Sequence, residues 1–409
     1  MRILQINCVY HKGSTGKIVY DIHKYLQYKN QESIVCYGRG SKVVESNVYK
    51  VCGELYAKLN KVKSMISGIM YGGCIISTLR LIKIILKEEP DIVHLHCING
   101  NFINIYRLIN FLKKKKIKTI LTLHAEFMYT GGCGHSISCN KWNSIEGCSQ
   151  CPRWRLETNS LFFDRTHTMW KYMYKAFKGF ENNLTVISVS PWLMNRAKTS
   201  TILKDFKHDI ILNGVDCTIF KIWNIDKLKE RYNITDEKII FHATPKFDNA
   251  LENIKGGYYI LKLAEELKNE KIKIFVAGNY DKSIKVPNNI ILLGQITDQK
   301  ELARFYSLAD TTILTSKRET FSMIVAESLC CGTPVVGFKA GAPEQIALRK
   351  YSKFTDYGNV KELRNIILEF FNLKFDKKQI SIEATQKYSK YFMCEKYMDI
   401  YKKLIGEKI

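Results

Sequence analysis

The feature that most narrows the folds open to this chain is the order of its apolar segments. Short runs, Ile3 to Val9, Ser33 to Tyr37, Asp91 to His96, Thr119 to His124 and Leu184 to Val189, alternate with helix-period stretches such as Lys17 to Tyr28 and Phe102 to Lys115. Apolar runs too short for helices, separated by helical segments, read as parallel strands with crossover helices. A second series begins near Asp209 with DIILNGVD and continues through Lys238 to His242, a helix Gly257 to Lys268, and strands Lys273 to Ala277, Asn289 to Leu293 and Thr311 to Thr315. It closes with a helix Phe321 to Cys331 and a strand Pro334 to Phe338. At 409 residues the chain is longer than one core usually serves. The expectation is an α/β chain of two doubly wound domains, 1–204 and 205–382, hinged near Lys198 to Lys207. A closing helix in 383–409, with Tyr388, Tyr391, Phe392, Tyr397 and Tyr401 at helical spacings, is expected to cross back to the first domain.

Composition limits the partners. The net charge of +24 comes from lysine runs such as Lys113 to Lys116 and favours acidic partners: nucleic acid, anionic lipid or phosphorylated small molecules. No RNP-like, zinc-finger or helix-turn-helix signature supports the first of these. MRILQINCVY reads as a strand rather than a signal peptide, and the most apolar long stretch, Ile66 to Leu86, is interrupted by Arg80 and Lys83. The expected location is therefore cytoplasmic. Thirteen cysteines spread through so long a chain read mainly as reduced, small apolar residues.

In a doubly wound sheet, ligands sit at the carboxyl ends of strands, where the next helix offers free amides and a positive dipole end. The segment SKRETFSMIVAESLCCGTPVV follows the run Thr311 to Thr315 in that way, with Glu319 at the turn and Glu327 two helical turns on. The amides of Ser322 and Met323 are candidates for phosphate or sugar oxygens, and carboxylates accept from sugar hydroxyls. Glu319 and Glu327, with Phe321 between and CGTPVV after, closely resemble the E-x7-E motif of retaining GT-B glycosyltransferases, the large glycosyltransferase family 4-like group. That resemblance implies two Rossmann-like domains facing a central cleft.

Further segments resemble the family in the expected order. KGSTGKI, with Gly13 and Gly16, resembles the glycine-rich loop that approaches the donor diphosphate; its spacing is not that of a P-loop. HLHCINGNFINI and LTLHAEFMYTGGC resemble a bacterial polysaccharide-assembly branch in which a histidine, here His124, lies against the donor sugar; Ala125 stands where that branch usually has aspartate. His94 and His96 read as structural. LNGVDCTIF places Asn213 in the motif opening the second domain, and HATPKFDNALENIKGG supplies Lys255 and Lys246 to the diphosphate. Lys246 stands nearest the usual arginine position, where it would act as a point charge.

The resemblance implies an enzyme, a hexosyl- or N-acetylhexosaminyl-transferase. It would use a UDP- or GDP-sugar, retain the anomeric configuration, and act on a lipid-linked acceptor in capsule, O-antigen or exopolysaccharide assembly. His124, Glu319 and Lys255 would carry the reaction, with no catalytic cofactor. A sugar-phosphate synthase on the same fold and a basic nucleic-acid-binding protein are the alternatives. Two clusters stand apart. Cys133, Cys139, Cys148 and Cys151, the last two a CxxC, suggest either a structural zinc or a reduced, redox-labile loop. The stretch Arg165 to Phe180 interleaves aromatics with Lys171, Lys175 and Lys178, and reads as a packed helix face or as part of a membrane-docking surface together with Lys58, Lys61, Lys63 and Lys113 to Lys116. An anionic membrane surface is the expected peripheral partner.

Overall fold

The computed structural model describes residues 1–407 and divides into two compact units, Met1–Leu212 with Met393–Ile409, and Asn213–Phe392. The first unit is built on β1 (Arg2–Asn7), β2 (Glu32–Tyr37), β3 (Val48–Lys50), β4 (Ile92–Leu95), β5 (Thr119–Leu123), β6 (Leu184–Ser188) and β7 (Lys207–Ile210). They form one parallel sheet in the order β3-β2-β1-β4-β5-β6-β7. The second holds β8 (Lys238–Phe247), β9 (Ile272–Tyr280), β10 (Ile290–Gly294), β11 (Thr311–Leu314), β12 (Val335–Phe338) and β13 (Ser352–Thr355), in the order β10-β9-β8-β11-β12-β13. The alternation legible in the sequence is thus an α/β architecture of two Rossmann-like domains. Their central strands are buried on both faces, as in a sheet covered by helices on both sides.

Two boundaries differ from expectation. Lys207–Ile210 does not open the second domain; it pairs in parallel with β6 as the last strand of the first sheet, reached through the helix Pro191–Thr199. Its alternating exposed pattern is that of an edge strand, which is why the run near Asp209 lacks the apolar signal of a domain core. The expected closing helix is two helices, Lys377–Tyr388 and Lys390–Ile405. They break at Ser389 because Val215 takes both flanking peptide groups: its amide donates to the Tyr388 carbonyl, and its carbonyl accepts from Lys390. The glycines expected in a loop before the first helix lie within it, since that helix spans Gly13–Tyr28.

From Met393 onward the chain belongs to the first unit. Met393, Cys394, Tyr397, Met398 and Tyr401 pack with Ile3, Ile18, Ile22, Ile92, Ile120 and Ile187 in one buried cluster. Two of these tyrosines also reach polar groups in the sheet. The Tyr401 hydroxyl lies 2.7 Å from His94 Nδ1, and the Tyr397 hydroxyl 3.0 Å from Thr122 Oγ1. A buried ring nitrogen stripped of its partner costs about 1–3 kcal/mol. Tyr401→Phe is therefore expected to destabilise the protein by about that amount in urea unfolding, and an unchanged curve would show that the hydroxyl contributes nothing.

Candidate active site

Strand order locates the places where a ligand can reach the sheets. In a doubly wound sheet, the crevice opens where successive connections leave a strand in opposite directions. In the second unit that reversal falls between β8, followed on one side by β9 and β10, and β11, followed on the other by β12 and β13. In the first unit it falls between β1 and β4.

At the first of these points the loop after β8 meets the loop after β11. Lys255 Nζ lies 2.7 Å from Glu319 Oε1, with the two side chains 31% and 15% exposed. Asn253 Oδ1 accepts from the Lys255 amide, and Thr315 Oγ1 donates to the Lys255 carbonyl, so the lysine is fixed from both sides. Gly256 follows at φ +70°, packed so tightly that a Cβ would collide with the Thr315 carbonyl. The Glu319 backbone bridges to the segment beyond β12: its amide donates to Ala340 and its carbonyl accepts from Ala342.

The helix Met323–Cys330 starts directly beyond, with Ser322 as its N-cap. Ser322 has φ +83° and ψ 93°, a conformation that side-chain-bearing residues rarely adopt. Its buried hydroxyl has no hydrogen-bond partner among the described residues. Backbone strain at the head of a helix that opens on a crevice marks a site shaped for something other than stability. Phe321, 3% exposed, anchors the strained loop in the core. Glu327, one turn into the helix, accepts from the Tyr306 hydroxyl at 3.3 Å.

The other residues singled out in the sequence are placed separately. Lys246, at the end of β8, is 68% exposed and pairs with Asp248 at 3.2 Å. Asn213 is buried at the start of its unit. In the first unit, Gly13 has open space around its Cβ position, whereas a Cβ on Gly16 would press against Val9 and the His11 backbone at 3.2–3.3 Å. His124, just past β5, lies 3.4 Å from His96 Nδ1, and burial pulls its pKa down to about 4, so the ring is neutral at pH 7. Glu126 does not replace the carboxylate missing at Ala125: it is fully buried and sealed by Arg196 at 2.6 Å, Tyr129 and Ser136.

All thirteen cysteines are free thiols. Cys133, Cys139, Cys148 and Cys151 line one cavity of about 470 Å³. Among the described residues, however, no group of three or more His, Cys, Asp or Glu side chains is placed to hold a metal ion, so the arrangement offers zinc no ready-made cage. Interaction between Cys133 and Cys151 raises the first thiol's pKa and lowers the second's. Tyr306 and Gln5, which contacts His96, were missed in the sequence. Neither has a local signal, because only the tertiary structure supplies its partner.

Two parallel, doubly wound sheets, each with a switch point at the carboxyl ends of its strands, are the fold of the GT-B class. Residues 224–388 match the family "Glycosyl transferases group 1". That stretch resembles a glycosyltransferase domain, which supports a transferase. It is 20% identical over 99% of its length, and all of the relative's, to a protein of Escherichia coli K12 named as the colanic acid biosynthesis glycosyl transferase WcaC. Among solved structures it resembles sucrose-phosphate synthase of Thermosynechococcus elongatus, with TM-score 0.68, 14% identity and coverage of 99% of this chain and 100% of that one. It also resembles HepE of Anabaena in complex with UDP, with TM-score 0.67, 15% identity and coverage of 98% and 100%.

Ser322→Gly tests the strain. Glycine adopts this backbone without penalty, and relieving about 1–3 kcal/mol of strain outweighs the ~0.5–1 kcal/mol of extra chain freedom it brings to the unfolded state. The variant is expected to melt at or above the parent temperature; a clear fall would mean that the conformation is not strained.

Proposed function

We propose that the protein transfers a sugar, with retention of configuration, from a UDP- or GDP-sugar to a lipid-linked acceptor in the assembly of a surface polysaccharide. The observation that carries this reading is the meeting of Lys255 and Glu319 at the switch point of the second sheet, beside the helix that begins at Met323. An ammonium and the amides of a helix start suit a departing diphosphate, and a carboxylate suits sugar hydroxyls. The complex of HepE with UDP and the naming of the E. coli relative for colanic acid biosynthesis support the donor and pathway classes. In this proposal the bond from the anomeric carbon to the diphosphate oxygen breaks with its electron pair leaving on the nucleotide, the acceptor hydroxyl oxygen bonds to that carbon on the same face, and its proton passes to the departing phosphate oxygen. Lys255 stabilises the leaving charge, Glu319 holds the sugar, Glu327 the ribose, and neutral His124 orients the sugar through a hydrogen bond.

Release of UDP or GDP from a panel of nucleotide sugars, with bacterial lipid extract as acceptor, tests it. Wild type is expected to turn over at least one donor, and Glu319→Ala and Glu327→Ala to lose turnover while remaining folded. Lys255→Ala should weaken binding of the free nucleoside diphosphate by about 1.5–3 kcal/mol, roughly ten- to a hundredfold. Turnover retained in both glutamate variants would overturn the site, and no turnover of any donor would overturn the reaction.

We also propose that the enzyme docks on an anionic membrane surface. No helix among the described residues is long and apolar enough to span a membrane. The helix Glu54–Ser67 instead exposes Leu55, Leu59, Val62 and Ile66 along one stripe, at 73%, 60%, 53% and 51%, with Lys58, Lys61 and Lys63 exposed beside them. An apolar stripe flanked by lysines suits the headgroup boundary of a bilayer. Two other expected contributors are partly used otherwise. Lys113 donates to the Lys175 and Lys178 carbonyls and so caps the helix Thr166–Phe177, whose Trp170 and Phe177 are buried. With ~1 kcal/mol per lysine near the surface, binding should be reversible and salt-sensitive. In sedimentation, vesicles containing phosphatidylserine are expected to carry down more protein than neutral vesicles, and Leu59→Ser with Val62→Ser to reduce it; equal partitioning at low salt would end the proposal.

A further inference from the structure

The segment 213–220, which opens the second unit, and the helix Met323–Cys330, which starts at the candidate site, meet at two thiols. Cys217 Sγ lies 3.9 Å from Cys330 Sγ, although the two residues are 113 positions apart in the chain. Both are free cysteines in van der Waals contact. A disulfide holds its sulfurs at about 2.05 Å, so bonding them requires an approach of about 2 Å.

The two thiols are not equivalent. Cys330 is fully buried, and its contact with Cys217 together with burial pushes its pKa up. Cys217 is partly exposed. Hydrogen bonding with Cys330 lowers its pKa against the effect of burial, and Thr385 and the Lys390 ammonium add to that shift. Thiolate character and access to solvent therefore fall on one sulfur, as in a reacting cysteine, and the buried neighbour in contact with it has the place of a resolving one.

What holds each thiol determines what a bond between them does. The end of the helix is fixed: the Cys330 carbonyl accepts from Ser381 Oγ at 2.6 Å, and Ser328 Oγ lies 2.7 Å from Thr312 Oγ1. Gly332, just beyond, is packed so closely that a Cβ would collide with the Lys377 carbonyl. Cys217 sits instead on a loop tied to the stretch 389–390, through the Val215–Ser389 bridge and the Asp216–Lys390 ion pair at 2.8 Å. The loop is the side that gives way. Its displacement pulls on the segment that begins with Asn213, toward the helix that carries Glu327.

We propose that Cys217 and Cys330 form an oxidant-modified dithiol site, which reacts with hydrogen peroxide and closes to a disulfide that weakens nucleoside diphosphate binding at the adjoining site. The modification stands on the thiol geometry; its effect on the nucleotide rests on the function proposed above. The Cys217 thiolate attacks one peroxide oxygen, the O–O bond breaks, and the products are a sulfenic acid at Cys217 and a hydroxide that is protonated to water. The Cys330 sulfur then displaces the sulfenic hydroxyl, the S–S bond forms, and the Cys330 proton leaves with that hydroxyl as a second water. Two thiols give up two electrons, and one peroxide becomes two waters.

Peptide mapping of the full-length protein tests the site. Protein is reduced, treated with hydrogen peroxide, alkylated and digested with trypsin. Wild type is expected to yield a linked pair of peptides, 208–221 and 319–339, that separates on reduction with dithiothreitol. The link should be absent from Cys217→Ser and Cys330→Ala and kept in Cys331→Ala, which removes the other cysteine of the second peptide. No link in wild type, or a link that follows Cys331 instead of Cys330, would overturn the assignment; if Cys330→Ala does not fold, Cys331→Ala decides the same question.

Calorimetric binding of UDP and GDP to the same preparations tests the consequence. Affinity is expected to fall roughly tenfold in oxidised wild type, to recover with dithiothreitol, and to be unchanged by peroxide in Cys217→Ser. A disulfide that forms while affinity stays constant would overturn the effect on the nucleotide. If reduced wild type binds neither nucleotide, the proposed function fails, and the peptide map still judges the thiol pair.

Discussion

The structure depends on the requirement that each parallel strand be returned to the same edge by a crossover on one face of its sheet. Parallel strands cannot be joined by tight turns, so all connections but β2 to β3 and β9 to β10 carry a helix. Where successive crossovers depart to opposite sides, the covering helices part and leave a gap at the carboxyl ends of the strands. The two gaps, between β1 and β4 and between β8 and β11, are where the loops bearing His96, Lys255 and Glu319 emerge. The chemistry is thus placed by topology before any side chain is chosen.

This explains what could be read from the sequence. Apolar runs of β1, β4, β5, β8, β11 and β12 are legible because strands buried on both faces are continuously apolar, and that also revealed two domains. The pair Glu319 and Glu327 was legible because strand, turn and helix are consecutive in the chain. The edge strand Lys207–Ile210 was not: an edge is half exposed, its pattern is weak, and a boundary read from apolar runs falls before it. The break at Ser389 was hidden for a different reason, since it is imposed by Val215, far away in sequence. Ser322 shows the same limit at the site, because nothing local to a serine announces φ +83°.

The polar groups of the first unit follow a related rule. His94 and His96 were expected to be structural, and their burial agrees, yet a buried imidazole cannot be inert. Each nitrogen must find a partner or cost stability, and every partner dictates a proton position on the next ring. A tyrosine on the last helix, a threonine on β5 and a glutamine on β1 supply those partners. Burial thereby makes these partners part of what holds the sheet and the last helix together, because losing either side of such a bond costs stability.

At the second site the balance is different, because the charges there are only partly buried. Lys255 and Glu319 neutralise each other at 2.7 Å without a ligand. Under the proposed function, a diphosphate competing for Lys255 must compensate for weakening that contact, which limits how tightly the ground state is held. Glu319 is not left stranded, since its backbone is fixed to the Ala340–Ala342 segment, and a sugar hydroxyl can donate to the carboxylate as the lysine turns. The strained Ser322 beside them keeps the helix amides where no side-chain cap occupies them. In the proposed reaction, a paired cation, a carboxylate on a rigid loop and an uncapped helix start would make binding and leaving-group stabilisation one exchange of partners, in which charge is redistributed rather than newly buried.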